Sequence, residues 1–190
     1  CGEKVIIGRN VSISSPENIL IGDCLLIDDN VTILAGAPVE RPVMSRLKSH
    51  RSDIEGKLIV GPRVHIAVNV VIQAHGGVEI KEGVTVASGA KIYSLSHHYR
   101  NLSDPKDTTI FFFSSLADVS KQSLIVGSVT LEKGSAIGLN AVVLPGSTLQ
   151  KYTWLGSGSV FRGQSPPNAI LSGNPAAVLK LYDRKDRISE

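Results

Sequence analysis

The side chains best suited to moving protons are five histidines, His50, His65, His75, His97 and His98. An imidazole that is neutral near pH 7 can take a proton from a nucleophile, and a free alcohol is a poor nucleophile without that help. His97 and His98 are adjacent in Ser96-His97-His98 and open a long stretch without repeat order. His50 and His65 match no pattern, and a surface or turn position is the expectation for both. The two cysteines, Cys1 and Cys24, form no CxxC pair and carry no metal-ligand spacing, which points to reduced thiols in an intracellular protein. A net charge of only +3, with no basic patch interleaved with aromatics, argues against a nucleic-acid partner.

The elements that must hold these groups follow from one period. Every sixth residue from Ile125 to Phe161 is apolar: Ile125, Leu131, Ile137, Val143, Leu149, Leu155, Phe161. Neither a helical period of 3.6 nor strand alternation gives a strict six. Six residues suit one short strand and one turn of a β-solenoid. The same period runs through Ile7 and Ile13, then Ile21, Ile27 and Ile33, then Val60, Ile66 and Ile72, then Ile80, Val86 and Ile92. With 5% aromatics and 42% apolar residues, the interior is expected to be stacked Ile, Val and Leu. Three rungs per triangular coil give about six coils, roughly 29 Å of prism at ~4.8 Å per coil.

Four interruptions break the period, after Ile13, Ile33, Ile72 and Ile92. Two are two-residue insertions, near Pro16 and near Gly76-Gly77; two are long, 34–57 and roughly 97–123. Each is three rungs from the next, so all four leave one corner of the prism, and insertions at one corner build a functional face. The first long loop is basic, with Arg41, Arg46, Lys48 and Arg51, and is suited either to an acidic glycan or sugar nucleotide or simply to solvent. The second holds Phe111-Phe112-Phe113, expected to pack between subunits or, second, to wall an acceptor pocket. The division expected is a β-helix domain over 1–162 and a C-terminal cap over 163–190, with a short helix from Ala176 to Arg187 covering the open end. No apolar run reaches the ~18–20 residues of a membrane span. No signal peptide is visible, and a cytoplasmic location is expected.

The run Ile137-Gly138-Leu139-Asn140-Ala141-Val142-Val143-Leu144-Pro145-Gly146, then Leu155-Gly156-Ser157-Gly158-Ser159-Val160, Pro166-Pro167 and Gly173-Asn174-Pro175-Ala176, resembles the hexapeptide-repeat acyltransferases. The branch it is most similar to holds galactoside, maltose, nodulation-factor and cell-surface polysaccharide O-acetyltransferases. The resemblance implies an all-β, left-handed parallel β-helix, a homotrimer, and acetyl-coenzyme A held between neighbouring prisms with no metal required. It places His97 in the catalytic-histidine turn. It puts Asn69, His75 and His98 on the acceptor side. Gly138, Gly156 and Ser157 fall where the family's backbone meets the pantetheine arm. Arg162 and Lys180 match cations near the coenzyme phosphates. The family's Trp before the Ile-Gly turn is replaced by Ala136, and Trp154 stands one coil later.

The expectation is therefore acetyl transfer to a sugar hydroxyl in surface-polysaccharide synthesis, with His97 as base. N-acetylation of a nucleotide-linked amino sugar is the alternative. A γ-type carbonic anhydrase or a non-enzymatic solenoid subunit is more distant, because the histidines lack the three-ligand spacing of the former and His97 stands beside a donor-site motif.

Overall fold

The computed structural model describes residues 2–183. The chain is an all-β, left-handed parallel β-helix with three faces. Face one stacks Ile6–Ile7, Leu26–Ile27, His65–Ile66, Thr85–Val86, Ala136–Ile137, Trp154–Leu155 and Ala169–Gly173. Face two stacks Ser12–Ser14, Thr32–Leu34, Val71–Gln73, Lys91–Tyr93, Val142–Val143 and Val160–Phe161. Face three stacks Ile19–Ile21, Leu58–Val60, Val78–Ile80, Val129–Leu131 and Thr148–Leu149.

The period of six has a local cause. Each short strand sends a column residue inward, and in most rungs the residue three places later turns the corner in the left-handed conformation. Between faces one and two these turn residues are Asn10, Asn30, Asn69, Gly89, Asn140 and Gly158, with φ from 54° to 72°. Asparagine and glycine take that conformation at least cost. The inward residues stack in register. One column runs Ile7, Ile27, Ile66, Val86, Ile137, Leu155, Leu171. Another runs Ile13, Ile33, Ile72, Ile92, Val143, Phe161. The third runs Ile21, Val60, Ile80, Leu131, Leu149. From Ile27 onward every column member is at most 4% exposed, whereas Ile7, in the first coil, is 49% exposed. Each such buried side chain contributes about 1.5–3 kcal/mol of transfer free energy.

All four interruptions leave the corner between faces two and three, since each follows a column residue of face two. Two expectations need correction. Ile125 is not a rung: it lies in Ser123–Val126, antiparallel to Leu95–His97 and parallel to Val43–Arg46. Its six-residue spacing from Leu131 is a coincidence, and the chain re-enters the prism only at Val129, whose N–H donates to Gly77 O. Leu171, which the tail reading left out, takes a place in the first column through its pairing with Leu155.

The helix expected from Ala176 is a strand. Ala176–Leu181 folds back antiparallel on Ala169–Gly173 and forms the last strand of face one. The edge left by the final coil presents unpaired N–H and C=O groups, and satisfying them outweighs a weak helix propensity in a segment with no face to bury. The end of that expected helix, 184–187, lies outside the described residues.

Candidate active site

The two long loops are knitted into one body by the small sheet of Val43–Arg46, Ser123–Val126 and Leu95–His97. Buried Ser45 accepts from the N–H groups of Leu102 and Ser103 at 3.0 and 3.1 Å, which folds the start of the second loop onto the first. Arg51 N–H donates to Ser128 Oγ, which donates to Ser49 O, both at 3.0 Å, and so ties the first loop to the strand leading back into the prism. Gly76 is needed for the close approach beneath: its N–H donates to Ser94 Oγ at 2.9 Å, and a Cβ there would overlap Ser94 O. This closeness carries His75 and His97 to the same place.

His97 is the last residue of its strand and pairs with Leu124. Its Nε2 lies 3.3 Å from Ser115 Oγ, and its ring packs on Phe113 with centroids 5.4 Å apart. Its Nδ1 is buried and meets no partner among the described residues. Two cavities open on either side, and His75, Leu95, His97 and Ser115 line both. The smaller, about 250 Å³, is completed by Ala37, Pro38, Val39, Arg41, Gln122 and Leu124. The larger, about 460 Å³, is completed by Gln73, Tyr93, Ser96, Phe113 and Leu144. His75 is held by a 2.8 Å hydrogen bond between Nδ1 and Gly36 O.

The other acceptor-side candidates fall elsewhere. His98 accepts from the Arg100 N–H at 3.1 Å, stacks on Tyr99, and lines neither cavity. Asn69 is a turn residue at the corner between faces one and two, exposed, with φ 61°. Within one protomer it does not join His97. His65 pairs with Asp28 at 2.9 Å, and His50 with Glu55 at 2.6 Å. Among the described residues no three His, Cys, Asp or Glu side chains gather as metal ligands.

Two arginines of the basic loop are neutralised by carboxylates, one of them on the face-three strand Val78–Ile80. Arg46 pairs with Glu55 and Glu40, which hold its guanidinium above its ordinary value, and Arg51 pairs with Asp53 and Glu79. Burial pushes the Glu55 carboxyl up, but hydrogen bonds from Arg46 and His50 outweigh it, so the group sits below the usual carboxylate range.

The coenzyme candidates divide between corners. Gly138, Gly156 and Ser157 lie at the corner between faces one and two, away from His97. Gly138 N–H donates to Leu155 O at 2.7 Å, and a Cβ on Gly138 would come within 2.6 Å of Ser157 N, so the stacking of coils alone accounts for this glycine. Arg162 directly follows Phe161 and is exposed at the His97 corner. In the stack it occupies the position of Tyr93 and Leu144, two coils beyond Tyr93, or roughly 10 Å at the sheet spacing. Lys180 is exposed on the final strand.

Sequence reasoning missed Gln73, Tyr93 and Leu144, although each directly follows a face-two column residue and that offset was there to be read. It gave Ser115 and Gln122 no role and saw Arg41 only as loop charge, because only the three-stranded side sheet brings them to His97. Phe111 is buried, whereas Phe112 and Phe113 are 59% and 71% exposed in the protomer.

No protein-family model matches the chain. It is 25% identical over 186 residues to the dTDP-4-amino-4,6-dideoxy-D-glucose acyltransferase of Escherichia coli, covering 97% of this chain and 82% of that one. It is 23% identical over 142 residues to WbbJ of Escherichia coli K12, named for O-acetyl transfer in lipopolysaccharide biosynthesis, covering 74% and 69%. A 29% match over 126 residues to an acetyltransferase-named protein of Mycobacterium tuberculosis covers 66% of this chain but only 38% of that relative. Among solved structures, AntD of Bacillus cereus, an N-acyltransferase in complex with dTDP and 3-hydroxybutyryl-coenzyme A, superposes over 97% of this chain and 84% of its own, with a TM-score of 0.76 and 20% identity. That likeness carries the fold.

Proposed function

We propose that the protein is a sugar acyltransferase that moves an acyl group from a coenzyme A thioester to an acceptor bound beside His97. The carrying observation is that His97 lines both of two adjoining cavities, so one imidazole faces a donor chamber and an acceptor chamber. Its Nε2 takes the acceptor proton as the acceptor oxygen or nitrogen attacks the thioester carbonyl. Collapse of the tetrahedral intermediate breaks the carbon–sulfur bond, and the imidazolium returns the proton to the departing thiolate. For Nε2 to accept, the ring proton must sit on Nδ1, which meets no partner among the described residues.

The thioester end of the donor is assigned to the larger cavity, with Tyr93 and Leu144 leading toward Arg162. Gly138, Gly156 and Ser157 lie on a different corner and join this groove only from a neighbouring copy. That separation, with the exposed Phe112 and Phe113, supports a homotrimer whose coenzyme site lies between prisms. Arg162→Ala is expected to weaken coenzyme A more than its analogue lacking the 3′-phosphate. The same change measured for both would remove Arg162 from the phosphate.

The acceptor group is weighted toward an amine on a nucleotide-linked sugar, because the dTDP-amino-sugar acyltransferase matches nearly the whole chain. The hydroxyl expected from the sequence remains the second reading, favoured by the likeness to WbbJ. Release of coenzyme A thiol across nucleotide amino sugars, neutral sugars and oligosaccharides separates them. Turnover with only amino sugars supports the first, turnover with hydroxyl sugars the second, and no thiol release with any of them counts against both.

A further inference from the structure

We infer that Arg41 is the residue that selects the acceptor, by binding an oxyanion carried on or next to its sugar ring. The inference rests on the acyltransferase reading for its assignment of chambers, but not for the existence of the anion site. Arg41 lines the smaller cavity together with His75 and His97. Among the described residues its buried Nε meets no partner, and its Nη1 makes only a long 3.4 Å contact to the neighbouring Glu40 carbonyl. The other two arginines of this loop are satisfied by carboxylates, and the Glu40 side chain is itself taken by Arg46. Among the described residues, Arg41 has no carboxylate partner.

A half-buried guanidinium whose Nε is cut off from water and which has no carboxylate among the described residues suits an anion from outside, and its planar fork fits carboxylate or phosphate. Pro38, Val39, Leu95 and Leu124 make the surrounding wall apolar, which strengthens such a pair. The anion does not belong to the coenzyme. A thioester at His97 is uncharged, and the pantetheine arm separates it from the coenzyme phosphates, so a cation within the cavity beside the base faces the acceptor. About 250 Å³ is room for a sugar ring with its charged substituent, and the rest of a larger acceptor would extend out of the open mouth.

The test is a binding series in which the ring stays constant and the charge changes. Glucose, glucuronate and glucose 1-phosphate are titrated calorimetrically into the full chain and into Arg41→Gln and Arg41→Lys. At least one anion is expected to bind more tightly than glucose, and Arg41→Gln should weaken that anion by about tenfold or more, as for loss of a charge-assisted hydrogen bond. Arg41→Lys, which keeps charge without the fork, should recover part of it. Preference for glucuronate assigns a ring carboxylate; preference for glucose 1-phosphate assigns a phosphate next to the ring. Anions binding no better than glucose, or as well to Arg41→Gln as to the unaltered chain, would overturn the inference. Thiol release is measured separately. Anion binding through Arg41 without any transfer would remove the acyltransferase reading and leave the anion site standing.

Discussion

The prism and its loaded corner are two kinds of structure in one chain. In the prism, each residue's role depends on its place in a six-residue unit. Ile66 is buried because it lies under Val86, and Asn69 turns a corner because it stands three places later. At the corner between faces two and three no such rule holds. His97, Arg41 and Ser115 meet because three short strands from two distant loops pair beside the prism. The regular part supplies a rigid edge, and the irregular part holds the proposed site.

If this division is right, substitutions in the two regions should fail differently. The largest stability effect belongs to the prism. Leu131→Ala removes a fully buried column residue and is expected to cost about 2–5 kcal/mol in denaturant unfolding. A cost below ~1 kcal/mol would mean that the columns are less tightly packed than their burial implies. Gly138→Ala follows, at about 1–3 kcal/mol, because its Cβ would press on the backbone at Ser157 N and Leu155 O. Stability unchanged by Gly138→Ala would instead reserve that glycine for ligand approach.

The smallest effect is one of pH and belongs to the loop. Glu55 titrates below the usual carboxylate range in the folded protein, so its stabilising contribution is complete above the unfolded value, about 4.5. It is lost as the pH falls from there through the lowered folded value. Glu55→Gln should therefore lower stability near neutral pH and flatten the decline on acidification. An acid limb as steep as that of the unaltered chain would place the titration on other carboxylates.

The same division explains how much could be read in advance. The repeat revealed the columns, the coils and the shared corner of all four interruptions, because each depends only on local spacing. It failed where spacing imitates the repeat, at Ile125, and where a long detour hides it, at Leu171. It also failed at Ala176–Leu181, where an open sheet edge decided the conformation. At the proposed site, resemblance named His97 and His75, which line the same two cavities. Asn69 was drawn in by the same alignment, although the left-handed turn gives an asparagine there sufficient reason. Arg41 and Ser115 carry no local signature, since the loops place them through pairings between residues far apart in sequence.

The most direct measurement is acyl transfer by His97→Ala with the best acceptor of the thiol-release panel, alongside coenzyme A binding to the same variant. The expected result is turnover lower by about 10²-fold or more with coenzyme binding little changed, as for the loss of a base. Turnover equal to that of the unaltered protein would contradict the role of His97. A matching collapse of coenzyme affinity would make it a binding residue instead.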